Sequence, residues 1–328
     1  MSIPDSTALH NQKILGAWEN GTDYTILSQT SGDTHPIQVH KVSQLPEHLE
    51  SHLLTLPHYV KGDVYVIISI LSGKLIACMY YSRIVAPLLD AMGVKHKALY
   101  TSTRHSIKEF ATWISGTVIL LSGDGGVNDL VNSLRCRVTL ILFPLGTGNA
   151  LFNSHIQDGI QTLLRGTPRP LPNFRVSFQE AFIDNQAVKS ILGVVVASYG
   201  FHPVLLHEFE KSRRLDTRQF DKLAQELLKT PMQFVGKVNG ENMKGYAAVT
   251  MVKKLDDRFC VSVDNSFRLI HLDTSDLMKG YVEGLGAWKV DKVELEGVCG
   301  KMCIDGLLLD VQGRVVIEEV ESVIDLVT

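Results

Sequence analysis

Two apolar runs in the middle of this chain each break into a glycine-rich turn and then into a helical pattern. Thr117 to Leu121 leads into Ser122-Gly123-Asp124-Gly125-Gly126. Val138 to Phe143 leads into Pro144-Leu145-Gly146-Thr147-Gly148-Asn149. Aliphatic runs of this length read as strands buried on both faces. Between them, Val127, Leu130, Val131 and Leu134 fall on one helical face. Strand, turn, helix, strand is the grammar of a parallel sheet in a layered α/β architecture. In such a sheet the carboxyl ends of successive strands share one edge, where ligands bind.

The same alternation starts earlier. Val64 to Ile68 is a β-branched run, followed by Ser72-Gly73-Lys74 and a stripe of Tyr81, Ile84, Val85, Leu88, Leu89 and Met92 that Gly93 closes. Lys97 to Tyr100 reads as a second strand and Ser106 to Ile114 as a helix. At Arg165-Gly166-Thr167-Pro168-Arg169-Pro170 the composition turns to that of a linker. Beyond it, strands are expected at Phe174–Phe178, Ser190–Ala197, Tyr246–Lys253, Phe267–Leu272, Lys292–Glu296 and Met302–Leu309. Val315–Val320 is expected to pair back on the last of these across Gln312-Gly313. Two helices interrupt, near Glu208–Lys229 and Ser275–Leu285. The expected fold is an α/β domain with a parallel sheet at residues 61–168, then a mainly antiparallel β-sandwich at 169–328. Residues 1–60 carry little pattern and read as an extension of unassigned role.

Composition narrows the function. A chain of 328 residues exceeds what one growing core holds, which agrees with two domains. A net charge of −3 argues against a dedicated nucleic-acid binder. Five sparse cysteines suggest a reducing compartment, and neither Cys299/Cys303 nor the twelve histidines fall at metal-ligand spacing. No signal-peptide pattern opens the sequence and no apolar stretch is long enough to cross a bilayer. The expectation is a cytoplasmic protein that reaches any membrane substrate peripherally.

A glycine turn between a strand and a helix aims backbone N–H groups and the helix dipole at an anion. Gly123, Gly125 and Gly126 allow close approach to a phosphate. An acid is unwelcome there unless it has a task. Asp124 could orient or deprotonate an attacking hydroxyl, or hold Mg²⁺ against phosphates. Alone it would read as a turn former; the second glycine turn on the same edge shifts the balance toward a ligand site.

At these residues the chain resembles the diacylglycerol kinase catalytic superfamily. That group carries GGDGT-x-x-E-x-x-N, then a strand, then P-x-GTGND. Ser122 to Asn132 is similar to the first through Gly123, Asp124, Gly125 and Asn132; Pro144 to Asn149 is similar to the second. Ser72 and Gly73 resemble an upstream Asn-Pro-x-Ser-Gly strand end, and Thr101 and His105 a Thr…His segment. Asp305-Gly306 resembles a late Asp-Gly-Glu. Ser198-Tyr199-Gly200-Phe201 and Glu210 to Leu215 look most like the sphingosine and ceramide kinase branch.

The resemblance implies an ATP-dependent kinase of a membrane-lipid hydroxyl, with ATP and Mg²⁺ as cofactors and a peripheral membrane surface as partner. It implies that Asp124 is the base or orienting residue. Ser72, Gly73, Thr101, Ser122, Gly123, Gly125, Gly126, Asp129, Gly146, Thr147, Gly148, Asn149, Arg213 and Asp305 would line the nucleotide. Ser198, Phe201, Leu205 and Leu206 would line the lipid.

Departures are visible too. Ser122 stands for the first motif glycine, Gly126 for its threonine and Asp129 for its glutamate. Ser69 and Ile70 stand for Asn-Pro, Ala150 for the acid after Asn149, and Leu307 for the last glutamate. The stretch His202-Pro203-Val204-Leu205-Leu206 lacks the acid that suits a protonated sphingoid amine, which favours a neutral lipid such as diacylglycerol or ceramide. The alternatives are a catalytically impaired lipid-binding pseudokinase and, less favoured, an NAD kinase.

Overall fold

The computed structural model describes residues 12–30, 35–73, 75–211, 219–229, 232–255, 264–277 and 287–328. The chain opens with an antiparallel meander of β1 (Gln12–Asn20), β2 (Asp23–Thr30) and β3 (Ile37–Val42). The stretch read as patternless thus contains a three-stranded sheet. Its first turn is Gly21-Thr22, with Gly21 at φ 72° and Asn20 opposite Asp23.

The α/β unit follows: β4 (Val64–Ile68), α1 (Ala77–Tyr80), a π-helical turn (Tyr81–Val85), α2 (Ala86–Ala91), β5 (Lys97–Tyr100), α3 (Ser106–Ala111), β6 (Thr117–Ser122), α4 (Asp124–Val131), β7 (Val138–Pro144), α5 (Ala150–His155), α6 (Gly159–Arg165) and β8 (Pro168–Pro170). The wide turn before α2 has a local cause. Pro87 offers no N–H and its ring crowds the carbonyl four residues back, so the ladder loosens there. Strands β4, β5, β6 and β7 run parallel, and β6 is buried along its whole length.

The second half contains β9 (Asn173–Ile183), β10 (Gln186–Ala187), β11 (Ser190–Gly193), β12 (Val196–Gly200), α7 (Phe201–Lys211), α8 (Gln219–Leu227), β13 (Lys237–Val238), β14 (Glu241–Asn242), β15 (Tyr246–Thr250), β16 (Arg268–Leu272), β17 (Ala287–Lys289), β18 (Lys292–Ile304) and β19 (Leu307–Val320). The last strand, β20 (Ile324–Val327), returns to the first unit. It lies parallel to β7 and antiparallel to β8, giving the sheet order β5-β4-β6-β7-β20-β8.

The second half is antiparallel sheet, as expected. Among the described residues it is one hydrogen-bonded sheet of eleven strands. The sheet curls on itself: β9 and β16 lie far apart along its path, yet the rings of Phe174 and Phe267 are 6.4 Å apart. One face encloses Phe174, Val176, Tyr199, Val249 and Met302, while Val196, Tyr246, Ala248 and Ile270 share a core with Val127, Leu130 and Leu151 of the α/β unit.

Two details differ from expectation. The hairpin between β18 and β19 turns at Asp305-Gly306, not at Gln312-Gly313. Both turn residues have positive φ, 49° and 89°, as a two-residue hairpin of the favoured twist requires. Gly313 instead sits at φ 90° where the register with β18 and β9 shifts. Nor is Ser190–Ala197 one strand. It bends at Val194-Val195, where a carboxylate described below takes the backbone N–H groups.

Candidate active site

Three loops converge at the carboxyl edge of the parallel sheet, where β5 and β6 leave β4 on opposite sides. They follow β4, β6 and β7. Their glycines are there because backbones touch. A Cβ on Gly123 would lie 2.5 Å from the Gly148 carbonyl oxygen and 2.7 Å from the Gly146 Cα. A Cβ on Gly146 would overlap the Gly123 Cα and lie 2.7 Å from the Gly123 nitrogen. Gly73, at φ 51°, presses on the Leu145 carbonyl and would place a Cβ 2.8 Å from the carbonyl carbon of Gly146. Gly125 differs: nothing lies within 4 Å of a Cβ built there, and the residue is exposed. Thr147 and Gly148 of the second turn are likewise exposed.

The two turns are also bonded to each other. The Asp124 backbone N–H donates to the Gly148 carbonyl at 3.2 Å. Asn149 folds back on Gly146, accepting from its N–H at 3.1 Å and donating to its carbonyl at 2.9 Å. The Asp124 carboxylate accepts from the N–H of Ala150 at 2.8 Å and of Leu151 at 3.1 Å. The acid of the first turn thus caps the helix that follows the second. Each carboxylate oxygen keeps a lone pair for a further donor.

Burial pushes the Asp124 carboxyl up to about 6; the two N–H bonds oppose the rise and the nearby Asp305 carboxylate adds to it. At neutral pH the group is mostly ionised, yet basic enough to accept a proton from a hydroxyl. The wall beneath it is polar. Asp305 is buried, and its carboxylate accepts from the N–H groups of Val194, Val195 and Val196 at 2.7, 2.9 and 2.8 Å and from Asn128 Nδ2 at 3.0 Å. All four acceptor positions are taken by protein donors. Burial raises this carboxyl while those bonds lower it. Asn128 and Asn132 both donate to the Leu192 carbonyl at 2.9 Å, and the Leu192 N–H returns a bond to Asn132 at 2.8 Å. This polar clip ties α4 to β11 and so joins the two halves directly under the glycine turn.

The remaining residues singled out from sequence divide. Thr101 is buried and accepts from the Ile70 N–H at 3.1 Å, which anchors the loop carrying half-buried Ser72 and exposed Gly73. Ser122 is buried at the end of β6. Half-buried Asp129 meets Lys108 of α3 at 3.3 Å; burial raises its carboxyl, and Lys108 and His105 pull it back. Ser198, Phe201, Leu205 and Leu206 belong to β12 and α7 of the antiparallel half. There the Ser198 hydroxyl lies 2.8 Å from His202 Nδ1, Phe201 and Leu205 are buried, and Leu206 is half-buried. Burial pushes the His202 imidazole down to about 4, so it is neutral. Arg213 lies outside the described residues.

Asn128 escaped the sequence reading. Its only signal was a polar residue among the apolar positions of a helix start. Among the described residues no group of three His, Cys, Asp or Glu could hold a metal, and no helix is long and apolar enough to cross a membrane. A cavity of about 810 Å³ opens at the opposite, amino-terminal edge of the sheet, lined in part by Lys61, Asp63, Lys95 and Lys97. The chemistry-bearing turns are not there.

Residues 63–171 match the family model of the diacylglycerol kinase catalytic domain. Among solved structures the chain is similar to a protein assigned as a diacylglycerol kinase from Bacillus anthracis str. Sterne, with TM-score 0.58 and 14% identity over 81% of this chain and 96% of that one. A second diacylglycerol kinase structure from the same organism gives TM-score 0.56 and 15% identity over 81% and 96%. At such identity the likeness is one of fold. No match was found among curated proteins.

Proposed function

We propose that the chain is an ATP-dependent lipid kinase that transfers a phosphoryl group to the hydroxyl of a membrane lipid. The observation that carries the reading is Asp124. It is held by two backbone N–H bonds between two interlocked glycine turns, with its carboxyl raised to about 6. The match to the diacylglycerol kinase catalytic domain supports it.

In this reading Gly125, Thr147 and Gly148, open and exposed on the edge, face the nucleotide phosphates. Among the described residues the edge offers one carboxylate, Asp124, so Mg²⁺ would arrive with the nucleotide and be held mainly by its phosphates. A Mg²⁺ ion would supply charge neutralisation at the transferring group. Asp124 would orient the lipid hydroxyl and accept its proton, its position kept by the Ala150 and Leu151 N–H groups. Asp305 and Asn128 would keep α4 in place rather than touch the nucleotide.

The lipid is expected to be neutral. No acid lies at the start of α7, His202 there is uncharged, and Glu208 is paired with Lys211 at 2.7 Å. A buried ammonium would lack a partner. In this reading diacylglycerol or ceramide is favoured over a free sphingoid base, and the Ser198 to Leu215 segment resembles the sphingosine and ceramide kinase branch. The test is labelled ATP and Mg²⁺ with a panel of mixed micelles carrying diacylglycerol, ceramide or sphingosine. Label in extracted diacylglycerol or ceramide is expected. Label only in sphingosine would reverse the substrate assignment, and none in any lipid, with intact ATP binding, would favour the pseudokinase.

A further inference from the structure

Two motif departures lie in the same turn, and the structure shows that they meet. A Cβ built on Gly126 would overlap the Ser122 hydroxyl oxygen and come to 2.8 Å of the Ser122 Cβ and 3.2 Å of Ile107 Cδ1. Ser122 and Ile107 are both buried, 4% and 5% exposed. Rotating the serine would move its hydroxyl away, but the Cβ is fixed by the backbone of β6. Position 126 therefore cannot carry a side chain while position 122 does. The motif that this segment resembles has the reverse arrangement, glycine first and threonine last.

We infer that Ser122 and Gly126 are a reciprocal pair. The side chain of Ser122, reaching up from the end of β6, fills the space that a side chain at 126 would fill from the first turn of α4. The two departures are then one compensated exchange. The wall behind Gly123–Gly125 stays filled, a hydroxyl is retained in that volume, and Ser122 is a positioning residue for the turn. What this exchange does for nucleotide binding rests on the kinase reading; the pair itself does not.

A double-mutant cycle tests it. Gly126→Thr alone is expected to lower Tm by about 3–6 °C through overpacking. The milder Gly126→Ala should also lower Tm, against the helix propensity that favours alanine. In the Ser122→Gly background both signs change: Ser122→Gly/Gly126→Thr should return to within about 2 °C of wild type, and Ser122→Gly/Gly126→Ala should exceed Ser122→Gly. Calorimetry with ATP·Mg²⁺ should show Gly126→Thr binding at least about tenfold more weakly and the double variant recovering. Wild-type Tm in both single variants at 126, or doubles as unstable as the sum of their singles, would overturn the pair. Recovery of Tm in chains of which none binds ATP would support the pair and sink the kinase reading instead.

Discussion

Asp305 offers the sharpest separation between a residue that builds the site and one that touches its ligand. Its resemblance to a late Asp-Gly-Glu segment would set it beside the nucleotide, whereas its carboxylate is spent on Val194, Val195, Val196 and Asn128. Asp305→Ala would leave three buried backbone N–H groups without acceptors, each costing about 1–3 kcal/mol. Alanine is also ill suited to the left-handed backbone at φ 49°, which adds about 1 kcal/mol. Relief of the carboxylate's own burial offsets part of this, so a loss of about 3–6 kcal/mol is expected. Asp305→Asn tolerates the backbone and keeps one oxygen for two of the N–H groups, while its amide nitrogen must face donors; about 1–3 kcal/mol is expected. Urea denaturation followed by tryptophan fluorescence measures both, with ATP titration of the folded fraction alongside. The order wild type, Asn, Ala in stability, with ATP affinity of folded Asp305→Asn unchanged, is the expected result. An Asp305→Ala chain as stable as wild type that has lost ATP binding would refute the reasoning.

Asp124 should leave a signature in the pH dependence of stability. Its folded pKa of about 6 lies above the ordinary 3.8, so the fold holds the extra proton between those values. The group therefore stabilises more as pH falls through 6, contributing about 1.4 kcal/mol more at pH 5 than at pH 8. Asp124→Asn should remove that slope in urea titrations at the two pH values; an unchanged slope would assign it to other groups. The glycines should separate by mechanism. Gly146→Ala, jammed against Gly123, should cost at least about 2 kcal/mol, whereas Gly125→Ala should stabilise α4 by up to about 1 kcal/mol yet weaken ATP binding. Equal stability effects at the two positions would remove the distinction between packing and ligand-facing glycines.

How much of this was legible in the sequence follows from how local each cause is. The parallel sheet announced itself because strands buried on both faces, such as Thr117 to Leu121, must be continuously apolar. The site edge followed, since topology alone puts the ends of β6 and β7 together. The N-terminal meander was hidden by a register shift between Ile14 and Gly16, which breaks the alternation that marks a strand. Its Gly21-Thr22 turn, with glycine first, was nevertheless a readable hairpin signal. The break at Val194-Val195 was not readable, because its cause is a carboxylate more than a hundred residues away. Asp305-Gly306 was read for chemistry, and its turn geometry passed to Gln312-Gly313. The compensation between Ser122 and Gly126 required distances, since in sequence the two departures look like independent losses.

The central claim is that Asp124 serves phosphoryl transfer to a lipid hydroxyl. The most direct measurement compares wild type with Asp124→Asn, each confirmed folded and binding ATP, for initial rates of label transfer from ATP to diacylglycerol or ceramide between pH 5 and 8. Wild-type rates should fall as pH drops below about 6, as the base is protonated, and Asp124→Asn should be slower by about 10²–10⁴-fold with ATP affinity little changed. Equal rates in the two chains, or a wild-type profile flat across pH 6, would contradict the account.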